Sequence, residues 1–108
     1  MRIATILALD VVGFSKMMGE NPTATVETLS ARRKSIHAII QKHAGSVFNE
    51  AGDSIVAEFS SSDSAAYCAI EIQTDMARIN IGSTSDRKML FRIGINHGEV
   101  MDSDGNVF

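Results

Sequence analysis

The sequence is short of the residues that would mark several large protein classes. Its one cysteine, Cys68, cannot form an intramolecular disulfide, and its neighbours Ala65, Ala66, Ala69 and Ile70 make the thiol a small buried hydrophobe suited to a reducing cytoplasm. Basic residues are not in excess. Ten Lys and Arg against thirteen Asp and Glu leave a formal charge of −3, so the chain lacks the basic footprint that non-specific nucleic-acid binding requires. No run approaches the roughly 20 apolar residues of a membrane-spanning helix. The opening MRIATILALD is broken by Asp10 and has no small-residue cleavage site, so it reads as a strand rather than a signal segment. Repeats, low-complexity tracts and linkers are also missing, and 108 residues leave room for one domain, residues 1–108.

What is present is a sequence of alternating periodicities. RIATILAL, residues 2–9, is nearly continuous in apolar and β-branched side chains, which predicts a central strand covered on both faces with Asp10 at its carboxyl end. A turn, VVGFSKMMGE, follows. Asn21 and Pro22 then form an N-cap and first helical residue, and Val26, Leu29, Ile36 and Ile40 carry the helical spacing until Gly45 stops it. SVFNE and SIVAEF flank AGD as a hairpin with Asp53 at its tip. Ser60, Ser61 and Ser62 offer caps for a second helix with the stripe Ala65, Cys68, Ala69, Ile72 and Met76. In LFRIGINHGEV, Phe91, Ile93 and Ile95 should pack under the helices while Arg92, Gly94 and Asn96 share the other face. The order β, α, β, β, α, β predicts an α+β, ferredoxin-like sheet with its helices on one face.

The chemistry-bearing residues sit at the ends of these elements. Asp10 and Asp53 become neighbours if the hairpin pairs beside the first strand, and two such carboxylates suit a hard cation that also takes waters and phosphate oxygens. The turn Val12, Gly13, Phe14, Ser15 offers backbone N–H groups to a phosphate, glycine allowing close approach. Each residue also has an ordinary structural role. An aspartate at a strand end caps turns, a Gly-Asp hairpin makes an Asx turn, and a strand arginine sits in water. His97 has no Cys or second His at metal-site spacing and reads as a packing or hydrogen-bonding residue. Met17, Met18 and Met76 read as core filler. Spacing by itself names no reaction.

Three blocks in one order do carry a resemblance. LALDVVGFSKMMG resembles the opening strand and phosphate loop of class III adenylate and guanylate cyclases. NEAGDSIVAEF resembles their hairpin with the second metal aspartate, and FRIGINHGEV their following strand. With Ser-Ser-x-x-Ala-Ala and CAIEIQ after the hairpin, the resemblance is especially close to soluble bacterial cyclase-like domains. The resemblance implies a lyase-type enzyme converting ATP or GTP to a 3′,5′-cyclic nucleotide and pyrophosphate. It implies that Asp10, Asp53 and the Val11 carbonyl hold two Mg²⁺ or Mn²⁺ ions. Gly13, Phe14, Ser15 and Arg92 would contact phosphates, and a homodimer or heterodimer partner would complete the site.

Two departures accompany it. Asn49 stands where adenylate cyclases commonly carry a base-selecting lysine, and Glu50 replaces the threonine that commonly follows; Asn49 can still donate and accept as a base-binding candidate. In the family, a Gly-Asp-x-Val-Asn-x-Ala-x-Arg segment follows the position of MDSDGNVF. The expectation is therefore an N-terminal portion of the domain that lacks the ribose-positioning asparagine and charge-stabilising arginine and is inactive by itself. The alternative expectations are a non-catalytic homologue serving as a nucleotide-binding or dimerisation module, and a ferredoxin-like small-molecule sensor.

Overall fold

The computed structural model describes residues 2–100 and, beyond them, the backbone of 102–103 and 106–107. Strand β1 (Arg2–Val11) is followed by helices α1 (Phe14–Glu20) and α2 (Pro22–Lys42), the hairpin β2 (Ser46–Ala51) and β3 (Ser54–Phe59), helix α3 (Ser62–Ile81), a 3₁₀ turn (Ser85–Arg87) and β4 (Phe91–Val100). A two-residue pair, β5 (Asp102–Ser103) and β6 (Asn106–Val107), ends the described chain. The main sheet runs β2-β3-β1-β4, antiparallel throughout. This is the ferredoxin-like order expected from the sequence, with the helices layered on one face.

Side-chain alternation decides what each face does. Leu7, Leu9 and Val11 of β1, Ile55, Ala57 and Phe59 of β3, and Phe91 of β4 point to the helix layer and join Ile36, Ile40, Ala65, Cys68, Ile72 and Met76 in one core. Burial, with the Glu71 charge adding to it, pushes the Cys68 thiol up to about 11, so it stays a protonated hydrophobe. The caps are those expected: Asn21 accepts from the Ala24 amide ahead of Pro22, and Ser61 accepts from that of Ser64. His97 hydrogen-bonds through Nδ1 to the buried Thr5 hydroxyl at 2.6 Å.

Four local expectations need correction. β1 is central, but the helices cover one face only; on its other face Ala4 is buried, Ile6 and Asp10 are half-buried and Ala8 is exposed, and the strand reads as continuously apolar because Ala4, Ile6 and Ala8 occupy that side. Val26 is 53% exposed, and the buried stripe of α2 runs instead through Ala24, Thr25, Thr28, Leu29, Arg32, Ile36, Ile39 and Ile40. The chain after Gly13 is not an open turn: Phe14–Glu20 is helical, with Phe14 and Met17 packed on the core edge. Ile95 lies on the helix side of β4, yet it is 42% exposed because the helix layer does not reach that far.

Gly45 shows why a residue's position can be right and its reason different. The left-handed residue that ends α2 is Ala44, at φ 60°. Gly45 is required by space instead, since a Cβ there would stand 2.6 Å from the Phe59 ring and 2.8 Å from Ile40. Gly45→Ala should therefore cost about 1–3 kcal/mol by overpacking. That is a fall in melting temperature of roughly 4–8 °C per kcal/mol, readable by circular dichroism. An unchanged melting temperature would show that the Phe59 ring swings aside freely.

Candidate active site at the end of the central strands

β1, β3 and β4 meet at the carboxyl end of β1, and their pairing fixes the site. In the β1–β4 ladder Asp10 stands opposite Arg92, and both lie on the open face. The guanidinium grips the carboxylate with two bonds, Nε to Oδ1 at 2.9 Å and Nη2 to Oδ2 at 3.2 Å. The hydrogen bonds and charge of Asp10, with the Asp53 charge adding, hold the Arg92 guanidinium above its ordinary range.

Asp53 reaches the same place from the hairpin. Ala51 pairs with Ser54, leaving Gly52 and Asp53 as a two-residue turn. Of these two, Gly52 alone has positive φ, 56°, as the first residue of a type II′ turn does. Asp53 Oδ2 accepts from the Val11 amide at 2.9 Å, the residue after Asp10, so the tip of one hairpin is fastened to the end of the central strand. Beside these residues lies a shallow cavity of about 180 Å³ bounded by Ala8, Asp10, Ser54, Arg92 and Gly94. Gly13, at φ 68°, opens α1, where Phe14 is half-buried against the edge of the core and Ser15 is exposed. The first-turn amides of a helix have no intrahelical acceptors.

The structure thus brings together Asp10, Val11, Asp53 and Arg92, with Gly13 and the first turn of α1, Phe14 and Ser15, following β1 after Val12. Asn49 faces the same side of the sheet, opposite Val56 in β3, two strands away from Asp10. Among the described residues no group of three or more His, Cys, Asp or Glu side chains is placed to hold a metal ion. A cation at the two aspartates would therefore complete its shell with water, carbonyl or ligand oxygens.

The sequence pattern of the adenylate and guanylate cyclase catalytic domain matches residues 2–105. The chain belongs to this family. It is similar to a Rhizobium meliloti protein assigned by name as adenylate cyclase 3, 37% identical over 108 residues, covering 99% of this chain and 18% of that protein. Among solved structures it resembles an adenylate/guanylate cyclase/hydrolase from Silicibacter pomeroyi at 32% identity and a TM-score of 0.88, over 99% of this chain and 63% of that one. A guanylyl cyclase structure aligns at 28% identity and a TM-score of 0.76, over 98% of this chain and 61% of that one. The cyclase-family chain thus spans less than two thirds of the proteins it matches.

Two supports of this cyclase-family site escape a reading of the sequence. Glu50 accepts from or pairs with His37 Nε2 at 2.6 Å and lies 3.8 Å from Arg33 Nε, while Arg33 Nη2 donates to the Gly52 carbonyl. Arg33 and His37 lie four apart, on one side of α2. Nothing in that spacing indicates which strand they meet.

The other support is Arg32, only 3% exposed. It donates to Asn80 Oδ1 at 2.6 Å, to the Arg87 carbonyl at 3.2 Å and to Met76 Sδ at 3.5 Å. Asn80 in turn holds both backbone groups of Met89, two residues before β4. Burial lowers the Arg32 guanidinium from its usual range, and the charge of Asp75 opposes that. Arg32→Ala would strand these acceptors and leave a cavity, a loss of about 2–4 kcal/mol in denaturant melts. Arg32→Met, which keeps bulk without charge, should recover part of it. Equal losses in the two variants would mean that the hydrogen bonds alone matter.

Proposed function

We propose that this chain forms the cation- and phosphate-binding part of a nucleotidyl cyclase that makes a 3′,5′-cyclic nucleotide and pyrophosphate from ATP or GTP. The observation that carries the reading is the fastening of Asp53 to the Val11 amide beside Asp10, which gathers two carboxylates at one strand end. The donor set fits Mg²⁺ or Mn²⁺: carboxylate and carbonyl oxygens, with no sulfur or imidazole among them. Asp10, Asp53 and the Val11 carbonyl would hold up to two ions. Such ions, when bound, acidify a hydroxyl nucleophile and neutralise triphosphate charge.

The chain's own residues then have separate tasks. Arg92 offers a planar, permanently charged fork to phosphate oxygens, and it is 70% exposed in its side chain, so it can turn from Asp10 toward a ligand. Gly13, Phe14 and Ser15, at the start of α1, offer backbone donors. The end of the sheet's open face carrying Asp10, Arg92 and Gly94 is left uncovered by the helices of this chain, which supports completion of the site by a partner subunit. Among the described residues no helix is long and apolar enough to cross a membrane, and the buried thiol of Cys68 suits a reducing cytoplasm.

The reading is tested by Mn²⁺ titration of the chain with ATP and with GTP, followed by electron paramagnetic resonance. A polypeptide extended to the domain length of its relatives is assayed in parallel for cyclic nucleotide. Saturable binding that Asp10→Ala abolishes, with turnover in the extended protein, supports it. Binding unaffected by Asp10→Ala refutes it. A second reading, a non-catalytic nucleotide-binding or dimerisation module, is favoured by one observation: Asn49 on the open face presents an amide where a lysine would present a cation. An extended protein that binds Mn²⁺ and nucleotide through Asp10 yet forms no cyclic product would select it.

A further inference from the structure

We propose that Arg33 is a positioning residue for Asp53: from helix α2 it fixes the turn that aims this carboxylate at the Val11 amide. The proposal deepens the cation-site reading above and rests on it for its functional meaning. Its physical basis is the peptide between Gly52 and Asp53. A peptide unit is planar, so holding the Gly52 carbonyl also fixes the direction of the Asp53 N–H and Cα. Gly52 alone would not hold it, because a glycine at positive φ has ready access to other backbone wells.

Arg33 supplies the missing hold by donating through Nη2 to that carbonyl. The same guanidinium lies 3.8 Å from Glu50 Oε1, which also binds His37 Nε2 at 2.6 Å. Helix α2 therefore grips the hairpin at its turn and three residues before Asp53. The helix is itself a firm base, because Ile36, Ile39 and Ile40 on its inner side are buried in the core. Glu50 thus supplies an acceptor for Arg33 and His37 of α2.

The experiment follows two readouts in the chain and in Arg33→Ala, Arg33→Lys and Glu50→Gln. One is hydrogen exchange of the Val11 amide, which reports its bond to Asp53 without any metal. The other is Mn²⁺ affinity. In Arg33→Ala, Val11 exchange should quicken and Mn²⁺ affinity fall on the order of tenfold, the scale for a group that supports a metal ligand from behind. The melting temperature should fall only modestly, because Arg33 lies outside the core cluster and its side chain is 32% exposed. Arg33→Lys, which can still donate to the carbonyl, should restore both readouts. Glu50→Gln should shift them less, in the same direction, which keeps the test usable if Arg33→Ala folds poorly. Native-like Val11 exchange in Arg33→Ala overturns the proposal, as does a loss that Arg33→Lys fails to relieve. If Val11 responds as expected while the native chain holds no Mn²⁺ at any concentration, the positioning stands and the cation-site reading is what fails.

Discussion

Asp53→Asn is expected to leave the fold intact and to remove divalent-cation binding, with turnover in a domain-length protein falling by about 10²- to 10³-fold or more, the scale for losing one preorganised charge-stabilising group. The choice of asparagine matters. The Val11 amide bonds to Asp53 Oδ2, so alanine would also unfasten the hairpin from β1 and confuse two causes. Asparagine keeps a carbonyl oxygen for that amide while removing the charge that a hard cation needs. Hairpin pairing from Ala51 and Ser54 should persist, and the melting temperature should move little. Asp10→Asn should have the same effect on the cation with one addition, because it also dissolves the bidentate pair with Arg92. Cation affinity retained within a few-fold in both variants would show that the carboxylates serve only the turn and the strand ladder.

How much of this was legible beforehand differs between backbone and contacts. Strand faces follow from period-two alternation, so the placement of Arg92 opposite Phe91 and Ile93 could be read directly from FRIGI. The meeting of Asp10 and Asp53 could be read only once the order of elements was known, because it depends on β3 pairing beside β1. Asn49 illustrates the limit. A register shift between Val47 and Asn49 sets which face each residue of β2 takes, and a bulge of that kind leaves no mark in the local hydrophobic pattern. Helical residues fared similarly. Arg32 looks like a solvated charge among Arg33 and Lys34, yet it is buried, because its acceptors on α3 and the 3₁₀ turn are 48 and 55 positions away. Val26 is the reverse case, an apolar residue at helical spacing that faces out because α2 is turned to bury Thr25 and Thr28 instead.

Removing Arg92 is expected to move two affinities in opposite directions. In the structure its guanidinium occupies both oxygens of Asp10, the positions where a divalent ion would bind, so protein and metal compete for one carboxylate. Arg92 is already a cation matched to the site, and the Asp53 charge adds to its retention. A triphosphate changes the balance by offering the fork other anionic oxygens, to which it can bind in the same bidentate manner. Metal and nucleotide should then assist one another: the nucleotide frees Asp10, and the freed carboxylate takes the ion, a coupling that by linkage is reciprocal. Arg92→Gln should therefore raise affinity for free Mn²⁺ by about two- to fivefold, a modest factor because an exposed ion pair holds its partners weakly in water. It should lower affinity for the Mn²⁺–nucleotide complex by about tenfold or more, through loss of a charge-assisted contact. Titrations of Mn²⁺ with and without ATP in the native chain and the variant measure all four quantities. A fall in both affinities would mean that Arg92 orders Asp10 for the metal instead of competing with it, and a native chain whose Mn²⁺ affinity is indifferent to nucleotide would remove the coupling altogether.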